Sequence, residues 1–205
     1  MKLFQYDGPL MTLLRKLWSI LCAGILFLLA CVPVFTAGAS FTALYDVAER
    51  NLKNDRGYVA GGFIESIRRN WRQTLPAGAV IAAVMILFEA DIRVMKAFLA
   101  DGQAIGNMYI LFRVMQALLL IYSVWVFAQI ACYENSMKQI LKNSLVFSIR
   151  HLGASIGIGL LLVAGGVVIW ILPISAPIVP VLVTWFITAL LDPVFKRYSG
   201  EGGER

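Results

Sequence analysis

Charge is scarce in this 205-residue chain: Asp, Glu, Lys and Arg make up 15% of it, against roughly 25% in soluble domains. With 60% apolar residues, that shortage excludes an ordinary soluble globule and implies a small integral membrane protein. Histidine is nearly missing too, His151 being the only one. Three cysteines, Cys22, Cys31 and Cys132, are scattered without zinc spacing and read as small core residues. The chain lacks H-E-x-x-H, which excludes that zinc-protease signature. It also lacks G-x-x-x-x-G-K-[ST], so any ATP-driven step needs a separate motor. No catalytic residue, metal ligand or cofactor site emerges. The net charge of +6 is accounted for by an anionic inner leaflet, with no need for nucleic acid.

What is present is a series of apolar runs of spanning length. They cover Leu17 to Val34, Leu75 to about Val94, Met108 to Ala131, Leu152 to Trp170, and Ile174 or Pro177 to Leu191. None shows the alternation of barrel strands, so the expected fold is an all-α polytopic bundle with about five spans. Trp18, Tyr109, Trp170 and Tyr198 fall near proposed ends, where amphipathic rings settle at headgroup level.

The stretch "PVFTAGASFTAL", residues 33–44, interrupts this pattern. Ala37-Gly38-Ala39 before Ser40 has the form of an export cleavage site, but the preceding run exceeds the roughly 7–15 residues of a signal core and further spans follow. Gly38-Ala39-Ser40 also has the form of a serine nucleophile, yet the topology below puts His151 on the cytoplasmic side, far from Ser40. The third reading is a reversal inside the membrane. Pro33 stops the hydrogen-bond ladder, Gly38 accepts unusual dihedrals, and the hydroxyls of Thr36, Ser40 and Thr42 satisfy freed backbone or cap a returning helix from Phe41 to Leu52.

Positive charges decide between a simple crossing and a reversal. The N-terminal arm holds three (Lys2, Arg15, Lys16), residues 35–74 hold six (Arg50, Lys53, Arg56, Arg68, Arg69, Arg72), the loop after the third span holds three (Lys138, Lys142, Arg150), and the tail holds three (Lys196, Arg197, Arg205). With a reversal at 33–40 all fifteen face the cytoplasm against two outside, Arg93 and Lys96, leaving Arg113 within the third span. A simple crossing gives only twelve against five. Both termini are therefore expected in the cytoplasm.

The whole chain is then one membrane domain: a helical hairpin over 17–53, a basic amphipathic helix plus hairpin over 60–131, a second such unit over 138–191, and a polar tail over 196–205. In the first basic segment Phe63, Ile64, Ile67 and Trp71 share a face while Arg68, Arg69 and Arg72 project elsewhere, the pattern of an interfacial helix on an anionic leaflet. Lys138, Lys142 and Arg150 repeat the theme, and Ser-Ile-Arg recurs at 66–68 and 148–150, as in a parallel duplication. These six basic residues form a candidate docking surface, the alternative being plain obedience to the positive-inside rule. Glu89, Arg93 and Arg113 form a candidate polar cluster, either lining an ion path or snorkelling at the outer interface. Gly153 and Gly157 have the small-xxx-small spacing of helix packing, within the chain or to a second copy.

"CVPVFTAGASFTALYDV", followed by "GGFIESIRRNWRQTL" and "YENSMKQILKNSLVFSIRHLG", resembles the YesL-like family of bacterial membrane proteins, a domain of unknown function. The most specific part is borne by Pro33, Val34, Thr36, Gly38, Ser40, Ala43 and Leu44. The resemblance implies a small polytopic protein of the bacterial cytoplasmic membrane whose genes accompany carbohydrate ABC importers and their regulators. It carries over no catalytic residue. Two expectations follow: a non-catalytic accessory that partners an ABC permease or a membrane sensor, or a small, oligomeric transporter or channel.

Overall fold

The computed structural model describes residues 9–33, 36–52 and 58–199; Lys2, Lys53, Arg56 and Arg205, counted above, lie outside the described residues. Among the described residues seven α-helices follow one another: α1 (Pro9–Cys31), α2 (Ala37–Val47), α3 (Val59–Ala100), α4 (Tyr109–Cys132), α5 (Met137–Arg150), α6 (Leu152–Ile171) and α7 (Val179–Ser199). Among the described residues there is no strand. Helices α1, α3, α4, α6 and α7 are long and apolar enough to cross a membrane.

Polarity is distributed as lipid requires. Val80, Leu118, Leu160 and Val163 are each more than 60% exposed, whereas Thr42, Asp46, Asn70, Thr74 and Gln129 are buried. In water such an apolar girdle would be an aggregation hazard; against acyl chains it costs nothing. The chain is a multi-pass membrane protein.

Three differences from the expected elements stand out. First, the reversal is shorter than 33–40. Residues 34 and 35 are outside the described set, but the helix resumes at Ala37, so Gly38, Ser40 and Thr42 belong to α2 and not to the turn. The returning helix ends in a π-helical turn, Ala48–Leu52, which comes back into contact with α1. Continued straight, it would lie some 20 Å beyond Cys31, so α2 doubles back. Second, the first basic segment is not a separate interfacial helix. It runs unbroken through Pro76 into the span, giving α3 its 42 residues. Pro76 deletes only the bond to the Arg72 carbonyl, at the point where the amphipathic pattern gives way to the apolar run. Third, α7 continues through Pro193 to Ser199, so the tail begins inside a helix.

The helices pack where side chains are small. A Cβ on Gly24 of α1 would collide with the Pro177 carbonyl oxygen, and one on Gly165 of α6 would sit 2.8 Å from Val183 of α7. Gly157 faces Leu190 at 3.2 Å and so packs α6 on α7, as expected. Gly153 meets nothing within 4 Å, so it is not a packing residue; it sits beside the α5–α6 junction, where no neighbour covers it.

Candidate functional site

The most polar part of the interior is a seam between α2, α3 and the C-terminal end of α4. It exists because α2 buries nearly every side chain from Gly38 to Val47. The hydroxyls of Thr36, Ser40 and Thr42 are consumed locally. Thr36 shares its proton between the carbonyls of Ala30 and Pro33, at 2.5 and 2.7 Å, and so ties the end of α1 to the turn. Ser40 donates to Thr36 O at 2.9 Å, and Thr42 donates to Gly38 O at 2.9 Å with Phe127 O of α4 at 3.4 Å. This is the back-bonding by which Ser and Thr sit inside a helix without an orphaned polar atom. Gly38 serves proximity: a Cβ there would lie 2.4 Å from the Phe127 ring and 3.3 Å from Gly78 Cα. Pro33, exposed, ends the preceding helix and accepts Thr36 N–H at 2.9 Å.

The charged element of the seam is Asp46, 5% exposed. One carboxylate oxygen accepts Arg69 Nη2 at 2.8 Å across to α3, and the other accepts Arg50 Nε at 2.7 Å one turn along. Next to it, Cys132 Sγ donates to Glu49 Oε2 at 3.6 Å. On α3, Ser66, Asn70 and Thr74 are buried at helical spacing; Asn70 Nδ2 donates to Ser66 Oγ at 3.5 Å and Thr74 Oγ1 to Asn70 O at 3.0 Å. Two guanidinium groups neutralise the buried carboxylate, and the Arg69 pair ties α2 to α3.

Of the apolar face expected on the first basic segment, Ile64 and Trp71 lie outward, as on an interfacial helix, and Phe63 does not. Phe63 points inward with the small polar residues, whereas Ile64 and Trp71 are 59% and 47% exposed. Arg69, expected on a docking surface, turns to Asp46; Arg68 and Arg72 stay exposed. On the second segment Lys138, Lys142 and Arg150 are exposed, with the Arg150 guanidinium 5.6 Å above the Tyr198 ring.

Glu89, Arg93 and Arg113 do come together, α4 to α3, with Arg113 Nη1 at 3.3 Å and Arg93 Nε at 3.8 Å from the Glu89 carboxylate. They meet on the outside of the bundle: the side chains of Arg93, Arg113 and Glu89 are 80%, 51% and 38% exposed. Arg113 also donates to Gln116 Oε1 at 2.7 Å. Long cationic side chains reaching outward from a helix end are the snorkelling arrangement.

His151 lies at the α5–α6 junction between the rings of Phe147 and Tyr198, at 6.4 and 6.1 Å, and no interaction among the described residues joins it to Ser40. Among the same residues no group of three or more His, Cys, Asp or Glu is placed to hold a metal ion.

The Asp46–Arg69 pair escapes sequence reasoning because 23 residues separate its members. The Asp46/Arg50 spacing of four was the available signal. No curated protein and no solved structure matches the chain. Residues 20–92, which carry α2 and the Asp46, Arg69, Asn70 and Thr74 side of the seam, match the family model described as protein of unknown function, DUF624, and with that match the resemblance to the YesL-like family holds.

Proposed function

We propose that the protein is a non-catalytic accessory of the bacterial cytoplasmic membrane, both termini inside, that docks on the permease of a carbohydrate ABC importer through α5. The observation that carries this reading is the outward face of α5. Leu141, Leu145 and Ile149, one turn apart, are 40%, 54% and 63% exposed, with Lys138 and Lys142 beside them. An apolar ladder at this spacing, flanked by lysines, is what a helix presents to the groove of a partner. The helix is anchored from behind by Ile140 and Ser144, both fully buried, and it is separated from the following span at His151.

A conducting path finds less support. The hydroxyls that would line it are bonded to their own backbone, and the Glu89 group lies outside the bundle. The importer as partner rests on what the family resemblance implies about neighbouring genes. The full chain, tagged and purified in mild detergent from its native membrane, should bring down a permease in stoichiometric amount, and Leu145→Glu should lose it. A homo-oligomer that passes solute in liposomes, with no permease attached, would overturn the accessory reading in favour of a transporter.

A further inference from the structure

The outward face of α3 supports a second interaction, with a lipid and not a protein. At about 1.5 Å per residue the 42 residues of α3 reach about 63 Å, twice the ~30 Å of a hydrocarbon core, so the part before Leu75 must pass through the headgroups. Ile64, Ile67, Arg68 and Trp71 line an open groove there, of about 550 Å³. Along the helix, Trp71 is about 6 Å and Arg68 about 10 Å from the start of the apolar run, the depth at which phosphates lie. Of the three arginines in this segment, Arg69 is taken by Asp46; among the described residues Arg68 and Arg72 have no acidic partner. Arg72 instead rests 5.7 Å from the Trp71 ring, which keeps its charge beside the apolar surface.

We infer that this groove seats an anionic phospholipid, with its phosphate between Arg68 and Arg72 and the first part of a chain against Ile64, Ile67 and Trp71. Charge and apolarity on one patch fit one molecule that carries both. A zwitterionic lipid offers the chain without the net charge, and a soluble phosphate offers the charge without the chain.

The test uses the full chain in nanodiscs in which either phosphatidylglycerol or phosphatidylcholine, at equal mole fraction, carries brominated chains. The fluorescence lost from Trp71, taken as wild type minus Trp71→Phe, should be quenched more by the brominated anionic lipid. Each of R68Q and R72Q should cut that preference about fivefold. High salt should cut it in the wild type as well, a measurement that needs no variant to fold. Equal quenching by the two lipids, or a preference that survives both R68Q/R72Q and high salt, would overturn the site.

Discussion

The two basic amphipathic segments begin alike and end differently. Both contain Ser-Ile-Arg, and both precede a span. Residues 60–74 run without a break into α3, whereas α5 stops at His151, where φ −113° and ψ 56° leave the helical region before α6 begins. The difference lies in what each inner face meets. Segment 60–74 has α2 alongside, and its inward residues Phe63, Ser66, Asn70 and Thr74 find a continuous wall with an ion pair to fix it. The α5 segment packs on α4, and its Phe147 inserts among Trp125, Phe195 and Tyr198. A straight continuation would pull Phe147 out of that cluster. The break is instead stitched by Ser155, whose hydroxyl donates to Ser148 O at 2.8 Å and accepts the Trp125 indole N–H at 3.1 Å. The two units thus share a basic theme and differ in construction.

That contrast can be broken most completely at the level of sidedness. In a background lacking Cys22, Cys31 and Cys132, single cysteines at Glu65 and Lys138 should react with an impermeant reagent from the same side, all or none, as should cysteines at Arg15 and Lys53. Opposite sides for Arg15 and Lys53 would sink the reversal at Pro33. Next in size is D46N, which strips the partly buried Arg69 of its counter-charge while the exposed Arg50 loses little. Thermal unfolding in detergent should show a loss of about 2 kcal/mol. At the corresponding joint of the other unit, S155A leaves the buried Trp125 N–H without an acceptor, an expected loss of about 1–2 kcal/mol by the same measurement. A loss from S155A as large as that from D46N would mean that the α5–α6 joint, not the α2–α3 pair, is the stronger clasp. Gly153→Ala should go the other way. Nothing lies within 4 Å of its Cβ, so the substitution should raise stability by about 0.5–1 kcal/mol, and a loss would show that the junction needs the glycine. R150Q, which removes only an exposed contact with Tyr198, should cost about 0.5 kcal/mol, well below its counterpart at Asp46.

Much of the architecture was legible in advance. Composition and run length identify the membrane class and all five spans, because lipid leaves a chain so few ways to satisfy its backbone. Pro33 and the positive charges on both flanking segments mark the reversal. Less legible was the extent of that reversal, since the back-bonding of Ser40 and Thr42 lets the helix resume at Ala37 despite turn-like residues. Segment 60–74 was harder still. Its outward apolar residues Ile64 and Trp71 were readable, but that Ser66, Asn70 and Thr74 would form the buried side was not.

By itself, then, the sequence determined that the chain is a multi-pass helical bundle, where its spans lie and where it doubles back, because these depend on local apolarity and on backbone groups that each segment must satisfy alone. Only the tertiary structure decided that Arg69 belongs to Asp46, that Gly38 is there for Phe127, that Gly153 packs on nothing, and that Glu89, Arg93 and Arg113 meet on the outside. Those outcomes depend on which helix lies beside which, and hence on which polar atoms find partners away from water, a property of the assembled bundle that no single segment carries.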